Sequence, residues 1–174
     1  NKLLQQDTPF LWTPEWEESF QNLKMGLITA PVLALPDFDR EFILTTDASY
    51  TGLAYILSQV DGQNKEHPIG YGGRALQPNE KGWSVTEIEM SALISGIKEY
   101  ATYLRGRKFI VYTDHISLTY LKDLRLSENK RLLRWQLFLA DFTFDLRYQK
   151  GKHNSAADGI SRMDFSRLPV EKQE

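Results

Sequence analysis

Four carboxylates in this chain stand where scattered surface charge would not put them: Asp47, Glu89, Asp114 and Asp158. Asp47 closes the apolar run Phe42-Ile43-Leu44-Thr45-Thr46, and Asp114 closes a second, Phe109-Ile110-Val111-Tyr112-Thr113. Glu89 heads a strongly helical stretch, and Asp158 lies in a short helical stretch near the C-terminus. Acids at two strand tips, joined by two from helices, can assemble a set of hard oxygen ligands. Such ligands suit Mg²⁺, which keeps several waters and recruits phosphate oxygens. Two such ions about 4 Å apart would activate a water on one side of a phosphodiester and stabilise the leaving oxygen on the other.

Each acid has a plainer reading when taken singly. Asp47-Ala48-Ser49 fits an Asx turn after a strand, and Asp114 fits the N-cap of a following helix. Glu89 fits a capping box with Thr86, and Asp158 fits a solvent-facing helical acid. The joint pattern is stronger than its parts. In open α/β sheets, function collects beyond the carboxyl ends of the strands. If the strands ending at Asp47 and Asp114 are parallel neighbours, their carboxylates crowd, repel and shift each other's pKa. A divalent cation relieves that crowding.

The elements that must position these acids are legible in the pattern. Thr13-Pro14 starts a helix, with Pro at its first position and Glu15, Glu17 and Glu18 at its positive end. Trp16, Phe20, Leu23 and Leu27 follow at helical spacing and would bury one stripe. Strands are expected over 41–47, over 53–59 after Gly52, and around 68–76 after the hairpin signal Asp61-Gly62. Three strands with tight links imply an antiparallel meander. Ser84, with Glu87 three residues on, opens a helix whose apolar stripe runs to about Leu104 and which Gly106 stops. The strand 107–113 comes next, and a crossover would set it parallel to one of the first three. A short helical piece carries Leu118 and Leu121, and a longer one over 128–141 is apolar on more than one side, so deep burial is expected. Phe144, Leu146 and Tyr148 alternate with polar residues in a final half-exposed strand, and a last short helix spans about 155–163.

A chain of 174 residues suffices for one domain with an appendage. No apolar run approaches the roughly 20 residues of a membrane span. With no cysteine, disulfides and thiolate metal sites are excluded, leaving oxygen and histidine ligands. A net charge of −2 is low for a nucleic-acid binder. However, the basic residues bunch: Arg105, Arg107 and Lys108; Lys130, Arg131 and Arg134; Lys150, Lys152 and His153. His67 reads as a surface residue and His115 as a helix-start residue, while Trp83, Tyr103 and Trp135 read as core.

At these motifs the chain resembles the RNase H domain of gypsy-class long-terminal-repeat retrotransposon polyproteins, preceded by the end of a reverse transcriptase. The matching stretches are Thr46-Asp47-Ala48-Ser49 with Gly52-Leu53 and Leu57-Ser58-Gln59; Thr86-Glu87-Ile88-Glu89; Gly106-Arg107-Lys108-Phe109 running into Thr113-Asp114-His115; Arg134-Trp135; and 151–162, Gly-Lys-His-Asn-Ser-Ala-Ala-Asp-Gly-Ile-Ser-Arg. Upstream, Thr8-Pro9-Phe10 with Trp12 and Ala30-Pro31-Val32-Leu33 resemble the segment joining polymerase to RNase H. Tyr50 stands where a small or polar residue is common, Gly72-Gly73 replaces a more typical Ala-Ser, and Gly96 interrupts the main helix.

The resemblance implies an α/β RNase H-like fold, a five-stranded mixed sheet with its first three strands antiparallel and helices on both faces. It implies a connecting segment over 1–36, an RNase H domain over 37–165 and a tail over 166–174. It makes Asp47 the central ligand of two Mg²⁺ ions (Mn²⁺ as the alternative), joined by Glu89 and Asp114, with Asp158 on the second ion. His153, Asn154, Arg74 and Lys152 are candidate substrate contacts. The partners implied are an RNA–DNA hybrid and an attached polymerase domain, with no membrane. The location implied is intracellular: cytoplasm, virus-like particle or nucleus. Two rival readings stand beside it: a module that keeps the fold and binds nucleic acid or supports a polymerase without cutting, and a related nuclease or integrase acting on DNA.

Overall fold

In the computed structural model of the chain, the described residues are 13–29, 33–120, 129–150, 157 and 160–162. Two compact units, Asn1–Ala34 and Leu35–Glu174, divide it. The first contains helix α1, Pro14–Thr29, which starts at the expected proline. Thr13 accepts the Trp16 N–H at its hydroxyl and its carbonyl. Of the stripe expected on this helix, Phe20 is half exposed, and the side chains of Leu23 and Leu27 lie outside those described.

The second unit is built on five strands: β1 Phe42–Ala48, β2 Gly52–Val60, β3 Glu66–Ala75, β4 Lys108–Thr113 and β5 Thr143–Tyr148. Their order in the sheet is β3-β2-β1-β4-β5. The first three pair antiparallel, whereas β4 runs parallel to β1 and β5 parallel to β4. The expected meander and mixed sheet are both present. β3 begins before Pro68, which this strand tolerates because it is an edge strand and its proline lacks only an unneeded donor. Between the pairs Leu57↔Gly70 and Ser58↔Pro68 the register shifts, leaving Ile69 as the bulged residue. The β2–β3 hairpin departs from a tight Asp-Gly turn. Asp61 Oδ1 accepts the N–H groups of Gln63 and Lys65 at 2.8 and 2.9 Å, and the left-handed residue is Asn64, at φ 62°.

Helix α2, Val85–Glu99, opens with the expected capping box of Ser84 and Glu87. Its continuation differs from the sequence pattern. Instead of one helix to Leu104, the chain breaks at Tyr100 (φ −100°, ψ 20°) and resumes as α3, Ala101–Leu104. The buried Tyr100 ring lies against the β3 backbone, where a Cβ on Gly70 would meet its hydroxyl at 2.8 Å. Gly106, at φ 73°, ends the segment. A 3₁₀ helix, Ile116–Tyr120, follows β4, and Leu121 lies outside the described residues.

Helix α4, Lys130–Leu139, corrects the expectation of deep burial. Only Leu139 is buried, while Leu132, Trp135 and Phe138 pack partly against the core and Leu137 stays 58% exposed. The helix packs one face against the core beside α2, and among the described residues its opposite face stays exposed. The main core lies between sheet and helices, with Phe42, Leu44, Leu57, Met90, Leu93 and Phe109 among its buried members. On the other sheet face, Ala54 and Ile56 pack against Ala157, with Ile160 beside them.

Candidate active site

The parallel register of β1 and β4 sets Thr46 opposite Thr113. Asp47, next to last in β1, and Asp114, the residue after β4, therefore leave adjacent strands at the same end. Asp47 is 2% exposed. The turn beyond it is made by Ser49, so the Asx-turn reading does not describe Asp47. Ser49 Oγ accepts the N–H groups of Thr51 and Gly52 at 3.1 Å each, and the Ser49 N–H donates to the Gly52 carbonyl at 2.9 Å.

Glu89 comes from the first turns of α2. One carboxylate oxygen each from Asp47, Glu89 and Asp114 lie within 4.8 Å of one another. Three acids so close, two of them buried, carry a large electrostatic cost without a cation. Burial raises the Glu89 pKa to about 8, helped by the negative charges of Asp114 and then Asp47, and opposed by a hydrogen bond from the Ala48 N–H. Glu89 Oε2 is buried and has no hydrogen-bond partner among the described residues. A buried acceptor oxygen on an acid grouped with two other carboxylates suits a cation ligand. The donor set is all oxygen, as Mg²⁺ and Mn²⁺ prefer.

Its sequence neighbour Glu87 has a different task. It closes the capping box with Ser84 and accepts Arg131 Nη1 at 2.8 Å, and those contacts hold its pKa down. The choice between the two glutamates therefore rests on helix geometry: two residues apart, they face different sides of α2.

The other expected site residues divide. Asp158, Lys152, His153 and Asn154 lie outside the described residues. Arg74 donates through both terminal nitrogens to Glu80 at 2.6 and 2.8 Å. His115 has a contact that the helix-start reading omits, Nε2 standing 3.0 Å from Thr86 Oγ1. Ser161 was not among the sequence candidates. Its hydroxyl donates to Asp47 Oδ2 at 2.6 Å across 114 residues of chain. No local pattern signals that contact; only its place in the closing motif of the resemblance set it apart.

Beside the triad lies a cleft of about 390 Å³ lined by Tyr50, Thr51, Val85, Ile88 and Glu89 among others. Tyr50 is 78% exposed there. A second cleft, of about 370 Å³, opens between α2 and α4, where Lys98, Arg131 and Arg134 meet Trp83, Trp135 and Phe138. Arg131 sits 4.1 Å over the Trp83 ring, and Trp83 meets Trp135 edge to face. The two tryptophans thus face a basic groove and are only partly buried. Of the other basic groups, Arg107 is tied to Phe38 through the ring face and the carbonyl.

Comparison with known proteins gives this geometry a family. A family model described as the RNase H-like domain found in reverse transcriptase matches residues 37–142. The Tf2-3 and Tf2-4 transposon polyproteins of Schizosaccharomyces pombe are each 37% identical over 175 residues, covering 99% of this chain. The chain spans only 13% of the length of those relatives. Among solved structures, the foamy viral protease-reverse transcriptase in complex with RNA/DNA hybrid matches 94% of this chain and 22% of its own, at TM-score 0.58 and 18% identity. LC11-RNase H1, also in complex with RNA/DNA hybrid, matches 69% of this chain and 93% of its own, at TM-score 0.53 and 12% identity. At those identities the structural likeness establishes the fold. The expected fold class and the resemblance to retroelement polyproteins are both borne out.

Proposed function

Because the chain belongs to the family of RNase H-like domains found in reverse transcriptase, we propose that it hydrolyses the RNA strand of RNA–DNA hybrids during reverse transcription. The observation that carries this reading is the convergence of Asp47, Glu89 and Asp114, one carboxylate oxygen of each lying within 4.8 Å of the others. Asp158, matched by its motif, completes the set. These four acids would hold two Mg²⁺ ions, or Mn²⁺ in their place. When bound, the ions supply a nucleophilic water and neutralise charge on the phosphoryl and leaving oxygens.

The chain's own residues do the rest. The carboxylates provide a rigid, mostly buried anionic seat fixed by two adjacent strands and one helix, so little reorganisation is needed when charge develops. The cleft beside them gives the scissile linkage a place to lie, with Tyr50 and Val85 at its rim. Water adds to phosphorus, the bond to the 3′ oxygen breaks, and the leaving oxygen takes up a proton, giving 3′-hydroxyl and 5′-phosphate ends. The Lys98–Arg131–Arg134 groove supplies phosphate contacts, and 2′-hydroxyl contacts would tell RNA from DNA. Lys152, His153 and Asn154 are further proposed substrate contacts. The natural partners are the hybrid and an attached polymerase domain, within a cytoplasmic or particle-enclosed reaction; no helix among the described residues is long and apolar enough to cross a membrane.

The test is a strand-labelled hybrid incubated with the protein and Mg²⁺. Cleavage of the RNA strand alone is expected, and Asp47→Asn or Asp114→Asn should abolish it while the fold persists by circular dichroism. Binding without cleavage would assign the chain to the silent-module reading, and equal cutting of an all-DNA duplex to the DNA nuclease reading.

A further inference from the structure

Ser161 is fully buried, and its hydroxyl and its carbonyl are both engaged across the site. Its hydroxyl donates to Asp47 Oδ2 at 2.6 Å. Its carbonyl accepts from Ser49 Oγ at 2.5 Å and from Thr51 Oγ1 at 3.2 Å. Just before it in sequence, Ala157 and Ile160 pack against Ala54 and Ile56 of β2. Ala54 is the register partner of Asp47. The C-terminal helix residues therefore rest on the sheet directly beside that aspartate, clasped by the β1–β2 turn.

An aspartate carboxylate turns broadly about its last torsion unless something holds it. A hydrogen bond from a hydroxyl to an ionised carboxylate at this length belongs to the short, strong class. Asp47 is also too buried for water to replace that donor freely. We propose that Ser161 is a positioning residue for Asp47, its hydroxyl helping to fix the plane of the carboxylate so that the acid is presented to the metal pair in one orientation. The Ser49 and Thr51 contacts place the Ser161 backbone, and the hydroxyl passes that placement on to the acid. This inference rests on the reading of Asp47 as a metal ligand. Partners of this kind, hydrogen-bonded to a ligating side chain, are worth about 10–100-fold in metal affinity or activity.

Three variants of the full chain separate this role from simple packing. Ser161→Ala removes the donor, Ser161→Cys keeps the side-chain volume with only a weak donor, and Ser161→Thr keeps a hydroxyl. Mg²⁺ alone is titrated by calorimetry, and hybrid cleavage is measured separately. Ala and Cys should stay folded by circular dichroism, bind Mg²⁺ about tenfold more weakly and cleave correspondingly more slowly. Thr should remain close to the wild type in both. Unchanged Mg²⁺ affinity in folded Ala and Cys variants would overturn the role, as would unfolding of both, which would make Ser161 a packing residue. A wild type that binds Mg²⁺ but never cuts the hybrid defeats the nuclease reading while leaving the titration to decide Ser161. A wild type that binds no Mg²⁺ defeats both.

Discussion

At the scale of single residues, Glu89 bears the electrostatic cost of the site. Its pKa in the folded protein, about 8, lies well above the ordinary 4.5 of an unfolded chain. Between those values the folded state holds a proton that the unfolded state has released. The metal-free protein should therefore be most stable below about pH 4.5 as far as this group is concerned, and lose that stability as pH rises to about 8. Glu89→Gln should flatten this slope, raise Tm at pH 8 in the absence of Mg²⁺, and abolish both Mg²⁺-induced stabilisation and cleavage. Tm measured against pH with and without Mg²⁺ checks it; a wild-type profile unaffected by Mg²⁺ at pH 8 would count against the site. Arg74 behaves differently. It neutralises Glu80, whose side chain is only 5% exposed, from a position that is itself one-third exposed. Arg74→Ala should cost about 2 kcal/mol, less than the roughly 3–5 of a fully buried pair because solvent screens the arginine. Urea unfolding reads that loss. A hybrid KM that rises beyond what the lost stability explains would make Arg74 a substrate contact as well.

At the scale of elements, Tyr55 accounts for two departures from the family pattern, Gly96 on α2 and Gly72 on β3. A Cβ on Gly96 would stand 2.9 Å from Tyr55 Cβ and 3.2 Å from a Leu44 methyl. A Cβ on Gly72 would overlap the Tyr55 ring at 2.1 Å. Tyr55 thus fills the space that glycine leaves on both the helix and the edge strand. In an open helix Gly96→Ala would gain about 1 kcal/mol; here overpacking should outweigh that gain and leave the variant about 1–3 kcal/mol less stable. A denaturation midpoint at or above that of the wild type would show that helix and sheet can part without cost. A different contact, Tyr100 against Gly70, accounts for the helical periodicity of 84–104 being misleading. A tyrosine at position 100 satisfies the helical stripe, yet its ring is needed against β3, and the helix breaks to deliver it.

At the scale of the whole molecule, a net charge of −2 conceals an uneven distribution. Acids collect at the strand ends, and Lys98, Arg131 and Arg134 collect in the α2–α4 groove. If the groove tracks phosphates, Lys98→Ala with Arg134→Ala should weaken hybrid binding for all sequences alike and lower the salt dependence by about one unit per contact. Filter binding at several salt concentrations measures this. An unchanged slope would leave the groove as a solvated helix junction. The exposed Leu137 face of α4 gives no such signal, because apolar content alone says nothing of which side of a helix is covered.

What the amino-acid order determined by itself is everything written within a few residues: the strand runs that end in Asp47 and near Asp114, the Ser84–Glu87 capping box, the helix start at Pro14 and the stop at Gly106. These depend on periodicity, caps and turn chemistry, and such forces act over one or two turns of chain. Which strands become neighbours, and therefore which acids meet, was decided only when β4 took its place beside β1 in parallel register. The same holds for the break at Tyr100, the partial burial of α4 and the bond from Ser161 to Asp47. Each of these joins parts of the chain that are far apart in sequence, or depends on a surface built by such parts. No local repeat encodes a contact across 114 residues; it exists because burying the apolar faces of sheet and helices together leaves those two side chains one place to be.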